Sequence, residues 1–159
     1  MTTGRMKIGG ILVSQDLSMI CLEGAPHHPG IAGTVLEALG EKQINVDFIS
    51  CCPEVGGGDT ICICVEARHF DEALSAVERV QDEVEAQKVV TRSDLCSVAV
   101  FGPHFREIPN VAARIFRSFA DAGINILAIS TSISSVSCVF EESRLDEGLR
   151  SLRARFDVP

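Results

Sequence analysis

Pro29-Gly30-Ile31-Ala32 and Pro109-Asn110-Val111-Ala112 stand 80 residues apart, and the chain repeats itself around them. The stretch opened by the first ends at Ile44-Asn45-Val46 and that opened by the second at Ile124-Asn125-Ile126. The spacing holds without a gap through Ile49-Ser50 and Ile129-Ser130. Solenoid repeats run ~20–50 residues, so this longer period reads as a duplicated domain. Within each copy the apolar residues recur at helical spacing: Ile31, Val35 and Leu39 in one, Val111, Ile115, Phe116 and Phe119 in the other. The prolines stand near the helix starts, where a missing N–H costs nothing.

Working outward, each helix is followed by an apolar, β-branched run, Val46–Cys52 and Ile126–Thr131, that reads as a strand. A second strand follows, Ile61–Val65 after the Gly56-Gly57-Gly58-Asp59 turn and Val136–Phe140 after a Ser-rich turn. Then comes a second helix, with Phe70, Leu74, Val77 and Val84 on one face, and later Leu145, Leu149, Leu152 and Phe156. Ser143 is placed to cap the last helix, with Asp146 three residues on. Strands Met19–Gly24 and Leu95–Phe101 precede the first helices. The order β-α-β-β-α is that of a ferredoxin-like split βαβ unit. Lys88–Thr91 supplies a fourth strand for the first copy. The second runs out of chain, while Ile8–Val13 is spare at the N-terminus. That spare strand is expected to complete the second sheet and interlock the two modules.

Composition narrows the function. The 159 residues carry a net charge of −8, with no basic face for phosphates, which argues against nucleic acid and anionic membranes as partners. No apolar run approaches the ~20 residues that span a bilayer, and Met1–Lys7 lacks the apolar segment of a signal peptide. The seven cysteines, Cys21, Cys51, Cys52, Cys62, Cys64, Cys96 and Cys138, lie mostly in apolar runs and show no zinc-knuckle or thioredoxin spacing. They read as buried free thiols and point to a reducing cytoplasm. Cys51-Cys52 and Cys62-x-Cys64 fall on neighbouring strands, which leaves a redox pair open. Asp82-Glu83-Val84-Glu85 reads as a solvated helix face.

The residues that bear on ligand chemistry cluster around the first helix of each copy. A helix start leaves backbone N–H groups unpaired, and these favour a carboxylate. Gly30 lets a ligand approach the backbone. Asn45 both donates and accepts, and Asp47 suits an ammonium group, so the chemistry of an α-amino acid is present in part; the asparagines equally suit a turn. His27-His28 has no third ligand nearby in sequence beyond His104 of the other copy's loop, so no metal is assigned. No Ser-His-Asp or Cys-His constellation stands out, and no catalytic residue or cofactor is assigned.

Glu23–Ala32 and Ile44-Asn45-Val46-Asp47 resemble the loop, helix and strand of an ACT domain. Gly102–Val111, Val111–Phe116, Ala122-Gly123-Ile124-Asn125-Ile126 and Ile129-Ser130-Thr131-Ser132 look like the second ACT domain of aspartokinase. The resemblance runs from about Ile8 to Phe156 and includes no kinase half. It implies two interleaved ferredoxin-like βαββαβ ACT domains, 15–92 for the first and 93–159 plus 7–14 for the second. It implies a regulatory module in the cytoplasm that binds a small molecule, most simply an amino acid, and acts through ACT–ACT homodimerisation or on a kinase subunit. The ligand-binding residues it implies are His27, His28, Pro29, Gly30, Ile31, Ala32, Asn45, Val46, Asp47 and Cys51, then Asn110, Val111, Asn125, Ile126, Ser130 and Thr131. The chain also departs from the pattern. His27 stands where an Asp is usual and Cys51-Cys52 where a Gln-Asn pair is usual. Asn110 replaces a Gly, and Ile133 and Ser135 stand where Glu and Lys are preferred. The alternative reading is an assembly module that has lost its effector.

Overall fold

The computed structural model of the chain describes residues 4–103 and 105–159. Its strands are β1 (Met6–Lys7), β2 (Gly10–Ala25), β3 (Phe48–Pro53), β4 (Asp59–Glu66), β5 (Lys88–Phe101), β6 (Ala128–Thr131), β7 (Ser135–Glu141) and β8 (Phe156–Asp157). Its helices are α1 (Ile31–Glu41), α2 (Phe70–Gln81), α3 (Val111–Asp121) and α4 (Leu145–Arg155). Two compact units result: Asp16–Asp94, the first module, and Met1–Gln15 with Leu95–Pro159, the second.

In the first module the strand order is β3, β4, residues 16–25 of β2, then residues 88–94 of β5. The β2–β4 and β3–β4 pairs are antiparallel, with Cys21 opposite Cys62 and Ser50 on the other side of Cys62. The second module runs residues 10–15 of β2, residues 95–101 of β5, then β7 and β6, with Ala99 opposite Ser137. Each is a βαββαβ unit with its helices against one sheet face. The N-terminal strand does complete the second sheet: the Gly9 N–H donates to the Phe101 carbonyl at 2.7 Å. After α4 the chain adds the short β8, which pairs in parallel with β1, so the second module ends on a ladder the sequence reading did not contain. Phe156, assigned to a helix face, is a buried strand residue of that ladder.

The spare N-terminal strand and Met19–Gly24 are one strand, β2, and Lys88–Thr91 and Leu95–Phe101 are likewise one, β5. Asp16 and Asp94 sit in these strands at φ 52° and 58°. Aspartate is among the few residues that enter this left-handed region at modest cost. The strands expected as separate pairs, Ile8–Val13 with Met19–Gly24 and Lys88–Thr91 with Leu95–Phe101, are thus continuous, and each aspartate is a kink within a strand that passes from one module to the other. The strands after α1 and α3 begin two residues later than expected, at Phe48 and Ala128.

The first core packs Ile31, Val35, Ala38 and Leu39 of α1 with Ala73, Ala76, Val77 and Val80 of α2 onto Ile20, Leu22, Ile61, Ile63 and Val65. Burying each large aliphatic chain contributes ~1.5–3 kcal/mol. α2 turns its small residues inward and leaves Phe70 and Leu74 half-buried, because Ala73 and Ala76 let it lie close to α1. It ends at Gln81. Asp82–Glu85 is therefore a turn with Glu85 at φ 52° and Val84 buried beneath it, not a helix face. The second core centres on Ile115, Phe119, Cys138, Phe140 and Leu152. The Phe119 and Phe140 rings lie 5.0 Å apart at 51°, within the favoured tilted range. Ser143 does not cap α4: it lies in a 3₁₀ turn, and Arg144 occupies the cap position without a capping side chain. No helix among the described residues is long and apolar enough to cross a membrane.

Candidate functional site

α1 and α3 begin in the same unusual way. Gly30 at φ 103° and Asn110 at φ 70° hold their cap positions in the left-handed region, and neither helix start receives a side-chain cap. Caps normally lie in the extended region and offer an oxygen to the first turn. Here the first N–H groups of each helix point out of the end uncovered, which is the geometry of an anion seat. Asn110 replaces glycine at this position without loss of the conformation, since asparagine tolerates positive φ well. Pro29 and Pro109 stand one residue before these caps and set the chain direction into them.

In the second module this helix start opens on a cavity of about 320 Å³. Of the expected residues, Asn110, Val111 and Thr131 line it, joined by Arg106, Ser132 and apolar walls that include Phe105, Ile108 and Val136. The hairpin beneath is organised by Ser132: its hydroxyl accepts from the Ser134 and Ser135 N–H groups and meets the Ser135 hydroxyl at 2.9 Å. Phe105, Arg106 and Ser132 were not assigned from sequence. Arg106 lies in an irregular loop with no periodicity to mark it. Asn125 and Ile126 do not reach the cavity. They lie where the chain leaves α3, about 16 Å from its start at 1.5 Å per residue. Ser130 is exposed on β6, opposite Ser137.

In the first module the corresponding corner is polar. His27 Nδ1 lies 3.0 Å from both carboxylate oxygens of Asp59, the first residue of β4. His28 Nδ1 meets the Pro29 carbonyl at 3.1 Å. Glu54, in the β3–β4 hairpin, accepts from the Thr60 hydroxyl and, at 3.1 Å, from the Gly24 N–H. Those two hydrogen bonds, with Lys88 adding a smaller contribution, hold its carboxyl below the ordinary range. Lys88 pairs with Glu23 at 2.8 Å, which holds the ammonium above its usual pKa. Cys51 is exposed on β3; desolvation, then the charges of Asp59 and Cys52, push its thiol up. Ile31 is buried under the loop and Ala32 half-buried. Asn45, Val46 and Asp47 are not brought to this corner. The Asp47 N–H donates to Cys64, five residues along β4 from Asp59, so they lie at the far end of the sheet. His104, the remaining metal candidate, lies outside the described residues.

The cysteines correct the sequence reading. Cys21 and Cys62, directly opposed on β2 and β4, are joined in a disulfide. Cys64, Cys96 and Cys138 are buried free thiols pushed up to about 12 by desolvation, and Cys51 and Cys52 are free and exposed. Spacing cannot reveal a cross-strand pair; it follows from register alone.

Two interleaved βαββαβ modules, each with an uncapped helix start beside its hairpin, define a tandem α+β protein of ferredoxin-like units. The family model for the ACT domain matches residues 20–81 and again 98–156. The regulatory subunit of aspartate kinase from Thermus thermophilus, in ligand-free form, superposes with a TM-score of 0.84 at 30% identity, covering 94% of this chain and 99% of that one. A structure of aspartokinase alpha and beta subunits matches with a TM-score of 0.83 at 30% identity, covering 92% of this chain and 97% of that one. An aspartate kinase of Pseudomonas putida (strain KT2440) is 30% identical over 151 residues, which is 95% of this chain and 37% of the relative. The chain belongs to the ACT domain family, in the tandem form of the aspartate kinase regulatory subunit. It spans little more than a third of the length of the curated kinases it matches, about 37%.

Proposed function

We propose that the chain is the effector-binding regulatory part of a cytoplasmic aspartate kinase and that a free amino acid is its effector. The observation that carries this reading is the cavity at the start of α3. An α-carboxylate would sit on the Val111 and Ala112 N–H groups with Arg106 beside it, the combination of oriented amides and a guanidinium that suits a carboxylate. Thr131 and Ser132 would supply neutral oxygens to the ammonium group. The walls of Phe105, Ile108 and Val136 would favour a modest apolar side chain. A cavity of about 320 Å³ is at the small end for ligand pockets, which fits an amino acid. In the first module Asn45–Asp47 stand far from His27–Gly30; a homodimer that sets one copy's strand start against the other's helix start would unite them. A ligand bound there shifts a two-state arrangement only by its differential affinity for the two states. A kinase chain is the proposed recipient of that shift.

The experiment is a thermal-shift screen of the chain against the twenty amino acids singly. One or a few should raise the melting temperature in proportion to occupancy, and Arg106→Ala should abolish the rise. A second reading, an assembly module without effector, is favoured by the apolar residues Ile49 on β3 and Ile129 on β6, exposed on strands at the sheet edges. A chain that dimerises but whose melting temperature no amino acid raises, even at millimolar concentration, establishes that second reading.

A further inference from the structure

The two modules provide an internal comparison. Leu17 opposes Glu66 in the first, and Leu95 opposes Glu141 in the second. Counting along both ladders from these pairs, Cys21 opposite Cys62 corresponds to Ala99 opposite Ser137. The second module therefore builds the same strand pair with no crosslink, and the βαββαβ scaffold does not depend on one. Cys21 and Cys62 are half-buried rather than sealed, on the sheet face away from α1 and α2, since Ile20, Leu22, Ile61 and Ile63 take the helix face. The buried thiols Cys64, Cys96 and Cys138 are all held above the range in which a thiolate forms near neutrality. The bonded pair thus stands where the equivalent module has no crosslink, and it is open to a small reagent. The bond closes the segment 21–62, a sequence separation of 41, which contains the loop into α1, α1 itself and β3.

We propose that Cys21–Cys62 is a reversible redox site of the first module, opened by a small cellular thiol of the glutathione class and closed by the corresponding disulfide. In opening, a thiolate attacks one cysteine Sγ and forms a mixed disulfide. The other sulfur leaves as thiolate and takes a proton. A second thiol then attacks the mixed disulfide, releasing the reagent as its disulfide and the second cysteine as thiol. Two electrons pass from the two reagent thiols to the protein disulfide, and closing is the reverse. Opening frees the 21–62 segment from a constraint on the unfolded chain, so the first module becomes easier to unfold. Nothing in this depends on which effector the module binds, or on whether it binds one.

The test is thiol counting by mass spectrometry, with N-ethylmaleimide added under denaturing quench, alongside thermal melts. After incubation with oxidised glutathione the chain should take at most five labels, any glutathione on the exposed Cys51 and Cys52 being counted by its added mass, and should yield a Cys21–Cys62 crosslinked peptide. After native incubation with millimolar reduced glutathione it should take seven, and the melting midpoint should fall by several degrees and recover on reoxidation. Cys21→Ala with Cys62→Ser writes the second module's pair into the first; this variant should fold and melt at one temperature in either buffer. Seven labels after the oxidised treatment would overturn the proposal, as would five that persist in reduced glutathione. So would a midpoint that ignores the reductant, or a double variant that still responds to it.

Discussion

His27 and Asp59 are joined by a forked contact, one imidazole nitrogen 3.0 Å from each carboxylate oxygen. It ties the loop before α1 to the first residue of β4. The pair also bears on the departure from the family pattern: where an acidic residue is usual the chain has His27, and a carboxylate arrives at the same corner from β4 instead. His27 is 79% exposed and Asp59 only 13%, so the pair is solvent-screened on one side. Exposed ion pairs contribute about 0–1 kcal/mol. Asp59→Asn should therefore change global stability by less than about 1 kcal/mol, while the His28 and Gly30 amides exchange faster with solvent. Hydrogen exchange resolved by residue checks this; an unchanged loop would show that the contact does not order it.

Arg144 joins two helices of the second module. Its guanidinium donates to the Ala122 carbonyl at 2.8 Å and the Gly123 carbonyl at 3.4 Å, past the end of α3, and holds Glu147 of α4 at 2.7–2.8 Å. A cation there satisfies terminal carbonyls and complements the helix dipole. Arg144→Ala should lower stability by about 1 kcal/mol. Arg144→Lys should recover less than half, because a single ammonium cannot address both carbonyls and the carboxylate in one plane. Denaturant unfolding of the three proteins measures it.

Much of the architecture was legible because it was written twice. The 80-residue offset, the fourfold spacing of Ile31, Val35 and Leu39, and the missing final strand of the second copy together point to an interlocked pair of βαββαβ units. What stayed hidden depends on tertiary context. The left-handed conformations of Asp16 and Asp94 make kinks within strands that read as separate pairs. Close packing of α2 on Ala73 and Ala76 shifts its buried face away from Phe70 and Leu74. The Cys21–Cys62 bond needs the register of β2 on β4. At the cavity, Asn110, Val111 and Thr131 were assignable from the repeat, whereas Arg106 and Phe105 belong to a loop whose course no periodicity reports.

The β3–β4 hairpin should be an acid-sensitive element. Glu54 is held below its ordinary value of 4.5 by hydrogen bonds from Thr60 and then the Gly24 N–H. A carboxyl with a depressed native pKa adds stability above its unfolded pKa and loses it as pH falls through the native value. Wild type should then destabilise as pH drops from about 5 toward about 3, with a smaller drop for Glu54→Gln. Lys88, raised by Glu23, works in the opposite sense: its contribution is present below the ordinary lysine value of 10.5 and fades as pH climbs past the raised one. Melting temperatures across both limbs separate the two, and a Glu54→Gln acid limb parallel to that of wild type would show that the hairpin does not set the acid sensitivity.

Two helical glycines should respond in opposite directions to the same substitution. At Gly40, near the end of α1, an added Cβ meets nothing within 4 Å. Gly40→Ala should therefore stabilise by about 0.5–1 kcal/mol, the usual cost of glycine in a helix. At Gly148, in α4, the same methyl would stand 3.1 Å from Phe119, 3.2 Å from Phe140 and 3.4 Å from Ile124. Both rings are fully buried, at 0% exposure, and lean on each other, so neither has room to retreat. Overpacking of this kind costs about 1–3 kcal/mol, which exceeds the propensity gain. Gly148→Ala should thus be destabilising by about 1 kcal/mol net, and its effect should fall on the second module's core. Chemical unfolding of both variants decides the sign. A stabilising Gly148→Ala would mean that the α3–α4 contact yields more readily than the packing of Phe119 on Phe140 implies.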